Sequence, residues 1–197
     1  NIASIKDYFS ISDIIFSLAP RINAAGRIEH GNKAVELLVQ QDFSTAKEKA
    51  DYIDNHNISR KELDKSITRE ALAMIVPGAN STVVCSEKWH KGVVGIVASR
   101  LIETHYRPTI VLTESNGKLT GSARSVSGFD IYDAIDACSD LLEQFGGHKY
   151  AAGLTLKKAN LTAFIQRFEE VVSTTITAEM QIPKINIDLE MPMEDIL

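Results

Sequence analysis

The chain has 197 residues, a hydrophobic share of 44%, a charged share of 24% and a formal net charge of −5. Those proportions belong to an ordinary globular protein and exclude a disordered chain, and the acidic balance excludes a broad basic face that coats duplex DNA. A narrow nucleic-acid channel, where a few arginines act locally, stays open.

The apolar runs fall far short of a membrane span and no charged-then-apolar leader opens the sequence, so no membrane partner is expected and a cytoplasmic setting is the default. Cys85 and Cys138 sit in apolar segments without a CxxC partner and read as free thiols. The sequence opens on Asn1 and closes on MPMEDIL inside an amphipathic stretch, and so reads as a piece of a longer protein.

In chain order, Ile11–Leu18 and Asn32–Val39 read as short helices, the second with Ala34, Leu37 and Leu38 at helical spacing. Between them RINAAGRIEHG reads as a glycine-containing loop. Ser44 is the expected cap of a long helix from Thr45 to about Val76, with a thin apolar stripe through Ile53, Leu63, Ile67, Ala71 and Met74. At 1.5 Å per residue it reaches roughly 45–50 Å, the form of a helix bridging two domains. Pro77 and Gly78 end it.

From Ser81 onward the pattern is α/β: strand Thr82–Cys85, helix Val93–His105 and strand Thr109–Thr113. An Asn116–Gly117 hairpin turn then leads into strand Lys118–Arg124. Asp130 caps an expected helix that carries Ile131 to Phe145 inward. Strand Ala151–Leu156 and an Asn160-capped helix through Val172 follow. Ile185, Ile187 and Leu189 alternate, so Lys184–Glu190 is an expected strand opening a further module. The fold class is α/β: a mixed β-sheet flanked by helices, preceded by a helical segment and a long connecting helix.

Four segments carry anion chemistry. In RINAAGR, Arg21 and Arg27 flank Asn23 and small residues, and a planar guanidinium fork meets phosphate oxygens two at a time. The plainer reading is a capping loop with solvated arginines. WHKGVVGIVASR places Gly92 and Gly95 at a helix opening, where free amides and the macrodipole favour phosphate. His90 either donates to that anion or holds the loop, Trp89 either stacks or packs, and Arg100, over two turns in, needs a separate role. In GSARS, Ser122 and Arg124 fall on one side of a strand as a compact phosphate seat or, more plainly, a polar edge. In FGGHKYAAG, Gly146 and Gly147 clear the backbone beside His148.

Metal chemistry finds no such support. The histidines are scattered, no DxD or DHH cluster occurs, and Asp130, Asp133, Asp136 and Asp140 read as the solvated face of one helix. The residues suit recognising a polyanion better than cutting one.

With these segments in hand, the chain resembles the bacterial RecJ single-strand-specific exonucleases of the DHH phosphoesterase superfamily, over nearly its whole length. GGHxxAAG, complete from Gly146 to Gly153, is shared across DHH-family phosphodiesterases; RINAAGR with WHKGVVGIVASR points to RecJ. The resemblance implies that residues 1–42 end a DHH catalytic domain, 43–78 form the connecting helix, 79–176 form the DHH-associated domain, and 177–197 begin an oligonucleotide-binding domain. It implies 5′-to-3′ degradation of single-stranded DNA in DNA repair and recombination, with two Mn²⁺ or Mg²⁺ ions held by aspartates and histidines of a DHH motif. That motif does not occur here, so no catalytic residue and no metal ligand is expected in this sequence.

Substrate binding is implied for Arg21, Asn23, Arg27, His90, Arg100, Ser122, Arg124, Gly146, Gly147 and His148. The implied partners are single-stranded DNA, a single-strand-binding protein and a helicase. The parent is expected to be a monomer, and this piece to dimerise artificially through apolar surface near its start. Two alternatives stand beside this reading. One is a small-substrate DHH phosphodiesterase acting on cyclic dinucleotides or short RNA; the other is a non-catalytic nucleic-acid-binding module like the related domain of alanyl-tRNA synthetases.

Overall fold

The structure, a computed structural model, describes residues 8–185 and 187–193. Ser10 and Asp13 form a reciprocal capping box that starts helix α1, Ile11–Asp13. The chain continues through a π-helical turn, Ile14–Leu18, into α2, Ala19–Ile28, which has Pro20 in its first turn. The expected RINAAGR loop is therefore a helix. Its small residues serve packing rather than turning, since Ala24 and Ala25 are buried at 0% and 2% exposure. Arg27, two residues on, stays exposed.

After α3, Asn32–Leu38, comes α4, Phe43–Ala73, whose 31 residues span about 46 Å. Its cap is Asp42, which accepts from the Thr45 amide at 2.7 Å, and Ser44 is not used. The helix also ends three residues before the expected Val76.

The inward stripe of α4 includes two buried polar residues, Asn57 and Asp64. Asp64, 3% exposed, accepts from Arg100 Nε at 2.8 Å and Nη2 at 2.9 Å, and from the Thr68 hydroxyl. Trp89, 4% exposed, donates from its indole to Glu70 at 2.9 Å. Packing, not stacking, is thus the role the structure gives Trp89. Together with Ile67 and Ala71 these contacts clamp α4 onto the α/β body.

That body is a five-stranded sheet in the order β1-β2-β3-β5-β4. Strands β1 (Thr82–Cys85) and β2 (Thr109–Ser115) run parallel, joined by crossover helix α5, Val94–Thr104. Asn116 and Gly117, with φ of 54° and 77°, make the tight turn from β2 into β3, Lys118–Arg124. Strands β3, β5 (Ala151–Leu156) and β4 (Leu142–His148) pair antiparallel.

One sheet face packs Ile110, Leu112, Leu119, Leu154 and Leu156 against α6 (Ile131–Asp136) and α7 (Leu161–Thr175), with Phe164 and Phe168 stacked at 5.9 Å. Helix α5 covers the opposite face over β1 to β3 through Val94, Val97 and Leu101. The β5–β4 half of that second face is left open, with Gln144, Gly146, His148 and Gly153 exposed.

Three expectations are corrected. The helix after Asp130 stops at Asp136, a 3₁₀ turn occupies Ser139–Leu141, and Leu142–His148 is an edge strand. Leu142 and Phe145 match a helical period, but they extend toward β5 instead, and Asp140 leaves the helix altogether. Asn160 stands at the start of α7 without capping it, because its amide donates to the Leu141 carbonyl at 2.9 Å. Among the described residues of 184–190 there is no strand, and Ile185, Ile187 and Leu189 are exposed. Asn186 lies outside the described residues. Cys85 and Cys138 are free thiols as expected, and burial pushes the Cys138 thiol up to about 11.

Glu169 of α7 ties down the connector after α4, accepting from the Asn80 amide and from the Ser81 amide and hydroxyl at 2.5–2.9 Å. Burial pushes its carboxyl up, but these donors outweigh burial and hold it below the ordinary glutamate value. A depressed carboxyl contributes stability above its unfolded pKa, lost as pH falls through the folded one. Glu169→Gln is expected to lower Tm at neutral pH. The gap to wild type should close below about pH 4, a comparison thermal melts across pH make directly. Arg100→Ala strands a buried carboxylate and is expected to cost on the order of 2 kcal/mol in urea titration, moderated because the arginine is half exposed.

Candidate nucleic-acid interface

Gly92 decides where the interface forms. A Cβ on it would lie 2.0 Å from the Arg27 carbonyl oxygen, so only glycine lets the loop before α5 press against the end of α2. Arg27 returns the contact, donating from Nη1 to the Gly92 carbonyl at 3.3 Å. Within the loop, the Gly92 amide donates to His90 Nδ1 at 3.2 Å, so His90 is spent on holding the turn. The result is a hollow of about 480 Å³ lined by Arg27, His90, Gly92, Gly95, Ser122 and Arg124, among others.

Beneath it, Arg124 donates to the Ser122 hydroxyl at 2.8 Å and to the Ala123 carbonyl at 2.7 Å, fixing the guanidinium along β3. A Cβ on Gly95 would stand 3.0 Å from Arg124 Nη2 and 3.1 Å from Ser122 Oγ, so the first turn of α5 also closes tightly over this pair. Helix starts carry free amides and positive potential, and this one opens into the hollow. Burial, followed by the positive charge of Arg27, pushes the Arg124 guanidinium below its ordinary value. Neither Arg27 nor Arg124 has an ion-pair partner among the described residues. Glu29 also lines the hollow, but its carboxylate accepts from the Tyr52 hydroxyl at 2.6 Å and pairs with neither arginine, so two cations over a helix start suit an anion.

The sheet continues this surface. Thr120 and Gly121 line both the first hollow and a second of about 320 Å³ bounded by Gln144, Gly146 and Gly153. Ser122, Gly153 and Gly146 form one row across β3, β5 and β4, and Arg124, Ala151 and His148 form the next. Cross-strand neighbours share a face, so Arg124 and His148 lie on the same side, two strand spacings or about 9.6 Å apart. His148 is exposed at the end of its strand, its Nδ1 accepting from the Tyr150 amide at 3.2 Å, and it lines neither hollow.

The two signature glycines differ. A Cβ on Gly147 would meet the Ala151 carbonyl at 2.3 Å, whereas one on Gly146 would meet nothing within 4 Å. Gly147 is required by packing, and Gly146 keeps the floor bare.

Other candidate residues stand elsewhere. Arg21 is taken by Asp54 at 2.8 Å and by the Ser17 carbonyl at 2.6 Å, outside the hollow. Asn23 is exposed one turn before Arg27 on the same helix face. Arg100 lies across α4 against Asp64, beside a different groove. Gly153, which closes the GGHxxAAG signature, borders the surface, and so do Lys91 and Gln144, which sequence reasoning misses; strand alternation from Gly146 is the signal that reaches Gln144. No group of three or more His, Cys, Asp or Glu is placed to hold a metal ion among the described residues. No helix of the described residues is long and apolar enough to cross a membrane.

The DHHA1 domain model matches residues 76–174. The single-stranded-DNA-specific exonuclease RecJ of Bacillus subtilis is 44% identical over 186 residues, covering 92% of this chain and 24% of that protein. RecJ of Escherichia coli is 37% identical over 176 residues, covering 82% of this chain and 30% of the relative. The crystal structure of Thermus thermophilus RecJ in complex with Mn²⁺ superposes with a TM-score of 0.81 at 33% identity, over 89% of this chain and 26% of that one. A Mg²⁺ complex of the same protein gives a TM-score of 0.78 at 34% identity, over 83% of this chain and 26% of that one. This chain spans about a quarter to a third of the curated relatives it matches. With that match over residues 76–174, the chain belongs to the DHHA1 domain family.

Proposed function

We propose that this chain is the DHHA1-containing part of a single-strand-specific DNA exonuclease, and that it binds the phosphate backbone of the strand. The observation that carries the reading is the meeting of Arg27 and Arg124 over the start of α5, neither of them held by an ion pair among the described residues. One phosphate seats there, on two guanidiniums, the Ser122 hydroxyl and the helix start. The adjoining hollow floored by Gly146 and Gly153 takes the next nucleotide. Two connected hollows favour a polymer over a cyclic dinucleotide.

At the margins of this reading Arg100 acts as steering charge, His90 as loop support, and Asn23 and His148 as exposed polar contacts, while Arg21 acts through Asp54. Hydrolysis with Mn²⁺ or Mg²⁺ belongs to residues outside this chain's own set. A single-strand-binding protein and a helicase as partners, a monomeric parent and a cytoplasmic setting form part of the same proposal. The division of labour is physical: metals activate water, and a second domain sets which phosphate lies in line.

Charge-assisted hydrogen bonds contribute about 1.5–3 kcal/mol each, so Arg124→Ala is expected to weaken oligothymidylate binding roughly 10- to 100-fold in fluorescence anisotropy. Unchanged affinity would remove the seat. Gly146→Val separates binding from folding: the strand gains a β-branched residue, so Tm should hold or rise, yet the filled floor should weaken oligonucleotide binding. Equal binding by that variant would show that the floor is not used. In the intact enzyme, blunt duplex should be cut far more slowly than single strands, and comparable rates would defeat the proposed selectivity.

A further inference from the structure

The chain carries a second concentration of positive charge. On α4, Lys61, Lys65 and Arg69 recur every four residues, a stripe about 12 Å long on one helix face. All three are exposed, and none makes an ion pair among the described residues. Like charges at i, i+4 destabilise a helix, so this spacing is a cost that folding does not require.

The stripe borders a groove of about 610 Å³ whose wall is completed by Arg60 and by Arg100 of α5. Five cations thus surround one buried carboxylate, Asp64, already engaged bidentately by Arg100. Glu103 is the other carboxylate close enough to act on Arg100. Arg60 donates from Nη2 to Asn57 at 3.1 Å, while its Nε is buried without a hydrogen-bond partner. Arg60 is near enough to Arg27 as well as Arg100 for their positive charges to act on it. In a chain of net charge −5, such a cluster is a local exception rather than the drift of composition.

We infer that the α4 stripe, with Arg60 and Arg100 behind it, is a second polyanion track that holds nucleic-acid backbone lying beyond the seated phosphate. The inference rests on the proposed seat for the direction of the strand, and not for the chemistry of the groove. Lysines on a regular helical spacing offer point charges without base readout, so the track is indifferent to sequence and strongly sensitive to salt. Its contribution is reach: a strand long enough to occupy both sites gains contacts that a short one never makes.

The test is anisotropy with labelled oligothymidylates of about 4 and about 20 nucleotides, across a salt series. It compares wild type, Arg124→Ala, and the triple variant Lys61→Gln, Lys65→Gln, Arg69→Gln, with melts to establish folding. The triple variant is expected to lose about tenfold or more in affinity for the long strand at low salt. Its log–log salt slope should fall by about 2, as three single-strand phosphate contacts require, while binding of the short strand stays unchanged. An unchanged long-strand slope overturns the track. So does tripolyphosphate that displaces the long strand from wild type at equal charge concentration, since the groove would then be a site for free phosphate chains. Failure of the seat looks different: Arg124→Ala would leave the short strand untouched while the triple variant still weakens the long one.

Discussion

Everything in the proposed interface hangs on the backbone contact between Gly92 and the Arg27 carbonyl. It is a steric constraint before it is an attraction, because any side chain at that position would drive the α5 loop off the end of α2. With the contact made, a guanidinium from the helical segment and one from the sheet face a common hollow. Without it, Arg27 is a solvated arginine at the end of a helix, and Arg124 and Ser122 are a polar pair on a strand. The site is a property of two segments held together, and α4 holds them through Asp64–Arg100 and Trp89–Glu70.

The same economy runs through Gly146–Gly153. Gly147 answers to the neighbouring strand, since its missing Cβ is what lets Ala151 and Ala152 approach. Gly146, one residue earlier, answers to open space, and its lack of a side chain has no internal justification. A strand residue that gives up β propensity for nothing inside the protein is best understood as clearing room for something outside it. His148, at the exposed end of the same face, extends that surface rather than forming its centre.

Much of this was legible in the residues. Alternation put Ser122 beside Arg124, and Asn116–Gly117 marked the hairpin; both hold in the structure. The long polar helix and the α/β body after it were readable from period and punctuation. RINAAGR misled because small residues signal both a turn and a close helix contact, and only the partner helices, with Ile53 of α4 and Ala34 of α3 against Ala25, separate the two. Leu142–His148 misled for a related reason: an edge strand shorter than two helical turns offers too few positions for period to discriminate. For Arg21 and Arg100 the sequence shows the guanidinium and not the carboxylate it meets. Asp54 and Asp64 lie 33 and 36 positions away.

Coupling follows from this architecture. An anion that touches both Arg27 and Arg124 binds the docked arrangement of α2, α4 and the α/β body, and has less to hold in any arrangement that parts them. By linkage, occupancy of the seat stabilises the docking, and docking raises affinity at the seat by the same factor. The clamp at Asp64 is then not a distant structural detail. Its guanidinium partner also borders the α4 groove, so the residue that fastens α4 stands in the proposed polyanion track. Charge placed at a fastening point makes binding and rigidity two readings of one equilibrium.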